Sequence, residues 1–255
     1  MHRKKPLKIN PELHPAKFVK RYKRFFSDVI TEQGDALTLH CPNTGSMKNC
    51  LVAESVCWYS LSNNPKRKLP GTLELVTTEF GNLAGINTHR ANHLVKEAIL
   101  ENKISQLTGY ENLRTEVKYG KENSRIDLLL EDADKGLCYV EVKNVTLEGP
   151  DGLVMFPDAV TSRGAKHLRE LIDVIDQGHR AVLFFCIQVN NALKMEVASE
   201  VDPLYAKTLA EAIAVGVEVI AWRADLSAHE IVLSQAIPCL QDLPVLSAQT
   251  NWFRG

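Results

Sequence analysis

The chain has 255 residues, 45% of them hydrophobic and 24% charged, enough to bury one large core or two small ones. No stretch approaches 18 consecutive apolar residues, so composition gives no membrane span, and no apolar segment follows the basic N-terminus to make a signal peptide. The net charge of −1 hides a polarity: residues 1–26 carry nine Lys/Arg against Glu12, a balance of +8 that leaves −9 for the rest. A basic end of this kind suits a polyanionic partner or a solvated tail.

The six cysteines form no CxxC pair, which excludes the common zinc frameworks. Cys57, Cys138 and Cys186 sit in apolar, strand-like runs and read as reduced core residues of a cytoplasmic protein.

From residue 15 to about 87 the chain reads as short strands: Phe18–Ile30, Ala36–His40, Val56–Leu61, Thr72–Thr78 and Leu83–Ile86. Gly34-Asp35, Pro42-Asn43-Thr44-Gly45, Asn63-Asn64-Pro65 and Gly81-Asn82 separate them as turns. About five strands in so short a span suggest a small closed barrel of the OB type. Arg21, Tyr22, Lys23 and Arg24 open this unit, and Arg67 and Lys68 stand in a loop. Basic groups with an aromatic between them suit phosphates and bases, although Tyr22 and Phe25 or Phe26 equally suit a barrel core.

Thr88–Asn102 predicts a helix capped by Thr88, with Ala91, Leu94, Val95, Ala98 and Ile99 as its apolar stripe. Glu97 flanks that stripe, facing either solvent or a neighbouring site. Strands follow at Glu116–Tyr119, Ser124–Glu131 and Leu137–Thr146, the last two joined by a turn at Asp134-Lys135-Gly136. Alternation puts Glu141 and Lys143 on one face, about 6.6 Å apart along the strand. Asp127 comes from the adjacent strand.

Two carboxylates and an amine among apolar residues resist burial unless a hard cation joins them, and oxygen ligands suit Mg²⁺ or Mn²⁺. Asp127 and Glu141 are therefore candidate metal ligands, and with Lys143 candidate catalytic groups for hydrolysis of a phosphodiester. The same residues taken alone also suit a turn-capping Asp and a Glu–Lys pair on a wet sheet face.

A second helix is predicted over Ala159–Asp176, with Leu168, Leu171, Ile172 and Ile175 inward. Arg163, Lys166, His167 and Arg169 gather near its start. Arg163 and Lys166 are candidate phosphate contacts; an ordinary polar face is the alternative, and His167 equally suits a surface position. A buried strand over Arg180–Val189, a helix over Asp202–Val215 and a strand over Val217–Trp222 imply parallel pairing through right-handed crossovers.

From Thr88 the order is thus helix, three strands, helix, strand. This resembles the αβββαβ core of PD-(D/E)xK nucleases, with Asp127 and Glu141-Val142-Lys143 on its second and third strands. The chain is also similar, over nearly its whole length and in order, to the sugar fermentation stimulation protein family. The stretches Arg21–Phe25, His40–Gly45, Lys66–Lys68, Glu116–Gly120, Ser124–Asp127, Glu141–Lys143, Phe156–Thr161 and Arg163–Leu171 carry that resemblance.

The resemblance implies an α/β chain with an OB-like barrel over residues 1–87 and a restriction-endonuclease-like domain over 88–255. It implies non-specific DNA binding and regulation of maltose metabolism, with Asp127, Glu141 and Lys143 inheriting the metal and catalytic roles. Members often carry an aromatic near Leu73. An active metal-dependent DNA nuclease is the alternative function, and a homo-oligomer is compatible with the sequence.

Overall fold

The computed structural model describes residues 12–122 and 124–240. Arg3, Lys4, Lys5 and Lys8 of the basic leading segment, and Asn123 ahead of the Asp127 strand, lie outside the described residues.

Six strands make the first unit: β1 (Leu13–Tyr22), β2 (Phe26–Thr31), β3 (Ala36–His40), β4 (Val56–Leu61), β5 (Gly71–Thr77) and β6 (Leu83–Gly85). The strand expected over Phe18–Ile30 is two strands. Lys23 and Arg24 take φ of 48° and 62° and reverse the chain, bringing Tyr22 opposite Phe26. The β-rich composition showed no turn there because neither residue is Gly or Asn, the usual left-handed residues.

The sheet runs β3-β2-β1-β4-β5-β6, and a parallel bridge from His40 to Thr72 closes β1–β5 into a barrel. Where β5 meets β4, a Cβ on Gly71 would lie 2.4 Å from the Ser60 carbonyl oxygen, so only glycine fits. Leu73 is fully buried inside this barrel, where any aromatic would be core rather than a base-stacking surface.

The second unit contains α1 (Thr88–Leu100), β7 (Asn112–Tyr119), β8 (Ser124–Asp132), β9 (Gly136–Val145), β10 (Leu147–Glu148), β11 (Leu153–Phe156) and α2 (Ser162–Asp176). It continues with β12 (Arg180–Ile187), β13 (Lys194–Val197), α3 (Pro203–Ala214), β14 (Glu218–Leu226), β15 (Ile231–Ala236) and β16 (Cys239–Leu240). The main sheet has the order β15-β14-β12-β9-β8-β7, with β9, β12 and β14 parallel. Its even-numbered β9 residues Cys138, Val140 and Val142 pack with α1, while Val145 and the residues of α2 and α3 form the opposite core.

The strands β10, β11, β13 and β16 form a separate four-stranded sheet that the sequence reading missed; runs of two to four residues are too short to show a period of two. The cap of α1 is Asn87, whose side chain accepts the His89 N–H. Thr88, expected in that role, instead donates its hydroxyl to the Pro42 carbonyl at 2.9 Å and ties the helix to the barrel. The second helix begins at Ser162, not Ala159, because Thr161 caps it through the Gly164 N–H. Its buried stripe is turned slightly from the expected one: Leu168 and Leu171 are buried, but His167 and Val174 join them while Ile172 and Ile175 sit half-buried.

Candidate active site

The antiparallel ladder between β8 and β9 runs from Asp132 opposite Gly136 to Leu128 opposite Val140 and stops there. One further step would set Asp127 opposite Glu141. The strands part instead, and the Asp127 carboxylate fills the gap. Its Oδ2 accepts the Val142 N–H at 2.8 Å, and its Oδ1 accepts the Asn92 amide of α1 at 2.7 Å. Asp127 thus takes over a ladder hydrogen bond, which fixes its side chain as firmly as backbone.

A cleft of about 560 Å³ opens at this split, walled by the barrel loop at Asn43–Gly45, the start of α1, and the sheet ends. Asp127, Glu141 and Lys143 all line it, as do Arg163 and His167. Strand alternation turns Glu141 and Lys143 towards α2. Glu141 is 2% exposed, and its Oε1 accepts both the Lys143 ammonium, at 2.6 Å, and His167 Nδ1. Its Oε2 is buried and has no donor.

Burial, then the charge of Glu141, pushes the Asp127 carboxyl up to about 6, against the pull of the Val142 N–H, Lys143 and Asn92. For Glu141 burial acts in the same raising sense, but Lys143 and His167 together outweigh it and hold its carboxyl below the usual range. The cleft therefore brings together two carboxylates shifted in opposite directions, with the Lys143 side chain bonded to one of them.

No three His, Cys, Asp or Glu side chains among the described residues group closely enough to hold a metal alone. A cation here would rest on Asp127 and the free Oε2 of Glu141. Both are hard oxygen donors, and the second is an orphan, so the residues present fit Mg²⁺ or Mn²⁺.

Asn92 was not singled out from sequence, and His167 was read there as equally suited to a surface position. Asn92 holds Asp127 from α1, whereas Glu97, farther along that helix, is exposed and lies outside the cleft. His167 is 6% exposed and bonded to Glu141. Its signal was positional: it lies four residues before Leu171 and seven before Val174, on the buried stripe of α2. Behind the site, burial and the charges of Glu141, Glu170 and Asp127 push the Tyr119 hydroxyl well up.

The basic candidates separate into groups. Arg21 is spent on the fold: its guanidinium donates to the carbonyls of Arg24, Ser46 and Asn43, the last at 2.7 Å. Tyr22 stacks on Phe26 at 5.4 Å. Lys23 and Arg24 are exposed at the β1–β2 turn. Arg24 and Arg163 line a second depression beside the cleft, formed by loop 44–46 and residues 156–161. Arg67 and Lys68 are exposed on the barrel and line neither hollow, and Arg67 with His89 helps depress His40 after burial. Lys166 turns to the Glu122 carbonyl at the β7–β8 turn instead of the cleft.

No helix among the described residues is long and apolar enough to cross a membrane. Residues 19–86 match the family model of the SfsA N-terminal OB domain, and residues 89–230 that of the sugar fermentation stimulation protein RE domain. The chain is 54% identical over 230 residues to a sugar fermentation stimulation protein homolog of Shewanella sp. (strain MR-7), covering 90% of this chain and 98% of that one. A homolog of the same description from Teredinibacter turnerae is 55% identical over the same shares. The structure of Pyrococcus furiosus SfsA in complex with Ca²⁺ matches with a TM-score of 0.82 at 26% identity, over 93% of this chain and 99% of that one. The chain, an OB barrel followed by an α/β nuclease-like domain, belongs to the sugar fermentation stimulation protein family.

Proposed function

We propose that this protein binds DNA without sequence preference and presents it to a divalent-metal site of the nuclease type, with Asp127 and Glu141 as ligands and Mg²⁺ or Mn²⁺ as the ion. The observation that carries this reading is the buried, donorless Oε2 of Glu141 beside a second carboxylate in an open cleft. The P. furiosus relative, solved in complex with Ca²⁺, is a member of the same family in the company of a hard divalent cation. When bound, such an ion acts as a Lewis acid on a phosphoryl oxygen and lowers the pKa of water.

The chain's own groups do the rest. Asn92 and the Val142 N–H hold Asp127 in place, and Lys143, 2.6 Å from Glu141, offers an ammonium to developing negative charge. Arg24, Arg67, Lys68 and Arg163 are exposed cations for the phosphate backbone. Five of the six cysteines are buried, which suits a reducing cytoplasm.

The test is calorimetric titration of Mg²⁺ and Mn²⁺ into the protein and Asp127→Ala, with plasmid and single-stranded DNA incubated in each metal beside Glu141→Ala. Metal binding lost in Asp127→Ala is the expected result; equal affinity in the variant removes the site. Metal-dependent cleavage lost in Glu141→Ala makes the protein a nuclease. Binding without cleavage leaves a DNA-binding regulator, such as the resemblance implies for maltose metabolism.

A further inference from the structure

The donors around Glu141 are distributed unevenly, and the cause lies on α2. Arg163 donates its Nε–H to His167 Nε2 at 3.2 Å. An arginine has donors only and stays protonated, so His167 Nε2 must be a bare acceptor. The ring proton is thereby assigned to Nδ1, the nitrogen that meets Glu141 Oε1. Lys143 Nζ lies 3.1 Å from the same Nδ1. With the proton there, these two nitrogens are not bonded to each other; they are two donors sharing one acceptor, Oε1. The opposite tautomer would let Lys143 donate to Nδ1 but would set the Arg163 N–H against a ring N–H.

We propose that His167 is a positioning residue: Arg163 fixes its tautomer, its Nδ1–H and Lys143 together saturate Oε1 of Glu141, and Oε2 is the oxygen left for a cation. The inference rests on the metal reading above and extends it to the substrate. Arg163 is exposed, lines both the cleft and the neighbouring depression, and uses only its Nε on His167; no hydrogen bond among the described residues takes its Nη groups. A phosphate on those groups orders Arg163 and, through the ring, the carboxylate. The arrangement follows the common pattern in which an outer partner orients a ligand and fixes a histidine tautomer.

Two amide substitutions separate this role from packing. Asparagine places its Nδ2 close to the position of the histidine Nδ1, whereas glutamine reaches towards the Nε2 position. By calorimetry with Mg²⁺ or Mn²⁺ alone, His167→Asn should stay within about threefold of the parent protein and His167→Gln should bind about 10- to 100-fold more weakly. Arg163→Met, which leaves the ring in place, should weaken binding about tenfold and keeps the test open should His167→Gln not fold. Binding by His167→Gln as tight as the parent's, or by His167→Asn as weak as His167→Gln, overturns the proposal.

Nitrogen-15 NMR of the histidine rings in metal-free protein supplies a readout that needs no ion. The His167 signal, identified by its loss in His167→Asn, should show the proton on Nδ1 and shift towards a tautomer mixture in Arg163→Met. A proton on Nε2 overturns the proposal. A protein that shows Nδ1–H yet binds neither metal defeats the metal site while upholding the Arg163–His167–Glu141 chain.

Discussion

Carboxylates in two regions of this molecule are treated in opposite ways. Glu74 on β5 and Glu148 on β10 lie in the seam between barrel and α/β unit, each about 3% exposed. Glu74 Oε1 accepts the Ser60 hydroxyl at 2.7 Å, and its Oε2 accepts Asn87 and Arg90 at 2.9 and 2.7 Å. Glu148 takes the Asn82 amide on one oxygen and the Thr78 hydroxyl on the other. In the cleft, Glu141 is just as buried, but both its donors crowd onto Oε1 and leave Oε2 bare. Burial therefore does not mark the functional acid. An unfilled acceptor does not mark it either, since Glu170 Oε2 is equally buried and without a donor. What marks Glu141 is that its unfilled oxygen belongs to a side chain lining the open cleft, together with a second acid pushed up to about 6.

The sharpest way to break this contrast is at the seam. Glu74→Ala leaves the Arg90 guanidinium, its side chain 21% exposed, and the Asn87 amide without their acceptor. Removing one partner of a buried pair costs about 3–5 kcal/mol, so urea unfolding should show a loss near 4 kcal/mol. A loss below about 1 kcal/mol would show that the seam is not held by this carboxylate, and the distinction between the two sets would fail.

At the cleft the expected effect runs through pH. The folded carboxyl of Asp127, pushed up to about 6 from 3.8, binds its proton more tightly than the unfolded chain does. Its stabilisation is complete below pH 3.8 and is lost as pH rises through 6, a fall of about 3 kcal/mol in the metal-free protein. Glu141 has the opposite sign: its depressed carboxyl stabilises above pH 4.5, and that contribution disappears as pH falls through its folded value. Urea melts between pH 4 and 7 should therefore show metal-free stability falling towards neutrality, and Asp127→Asn should flatten that fall. Saturating Mg²⁺ should recover it in the parent protein, since a ligand of the folded state adds its binding energy. Parallel curves for parent and variant would show that Asp127 carries no strain.

The outline of these regions was legible in the sequence because long, periodic elements carry their own signal. The strands over Ala36–His40 and Val56–Leu61 begin and end where the pattern puts them, and α1, β8, β9 and β12 lie within a few residues of theirs. The convergence of Asp127, Glu141 and Lys143 on one cleft followed from alternation and a turn. What escaped was tertiary. Asn92 and His167 enter the site from helices whose rotation about their axes only packing decides. The orphaned oxygen depends on how far β8 and β9 part, and no residue type announces that. Arg21 shows the same limit from the other side: its three backbone carbonyl partners could not be read from its place in a basic cluster.

The cations repeat the contrast between filled and unfilled groups. Arg21 is committed to the loop at Asn43–Ser46, whereas Arg67 and Lys68 are exposed, with one Arg67 nitrogen on the Thr72 hydroxyl at 3.1 Å. If these two meet DNA phosphates, neutralising both lowers the slope of log K against log salt by about two, roughly a tenfold change across a fourfold range of salt. Filter-binding titrations at several salt concentrations read this directly. An unchanged slope takes Arg67 and Lys68 out of the interface and confines DNA contact to Arg24, Arg163 and the cleft.

The smallest expected effect is the most discriminating. Glu148→Gln keeps an oxygen for the Asn82 amide, and its new N–H can donate to the Thr78 hydroxyl, which is acceptor as well as donor. Only the charge assistance to two hydrogen bonds is lost, about 1 kcal/mol by thermal or urea unfolding. Glu141→Gln can likewise keep its carbonyl under Lys143 and His167, placing the amide nitrogen where Oε2 stood. The same conservative change should then divide the two regions by its readout. At the seam it moves stability slightly and leaves Mg²⁺ affinity alone; at the cleft it replaces the one free ligand oxygen with a donor and abolishes binding. Equal loss of Mg²⁺ affinity in both variants would mean that the ion responds to the integrity of the whole seam rather than to an oxygen left open for it.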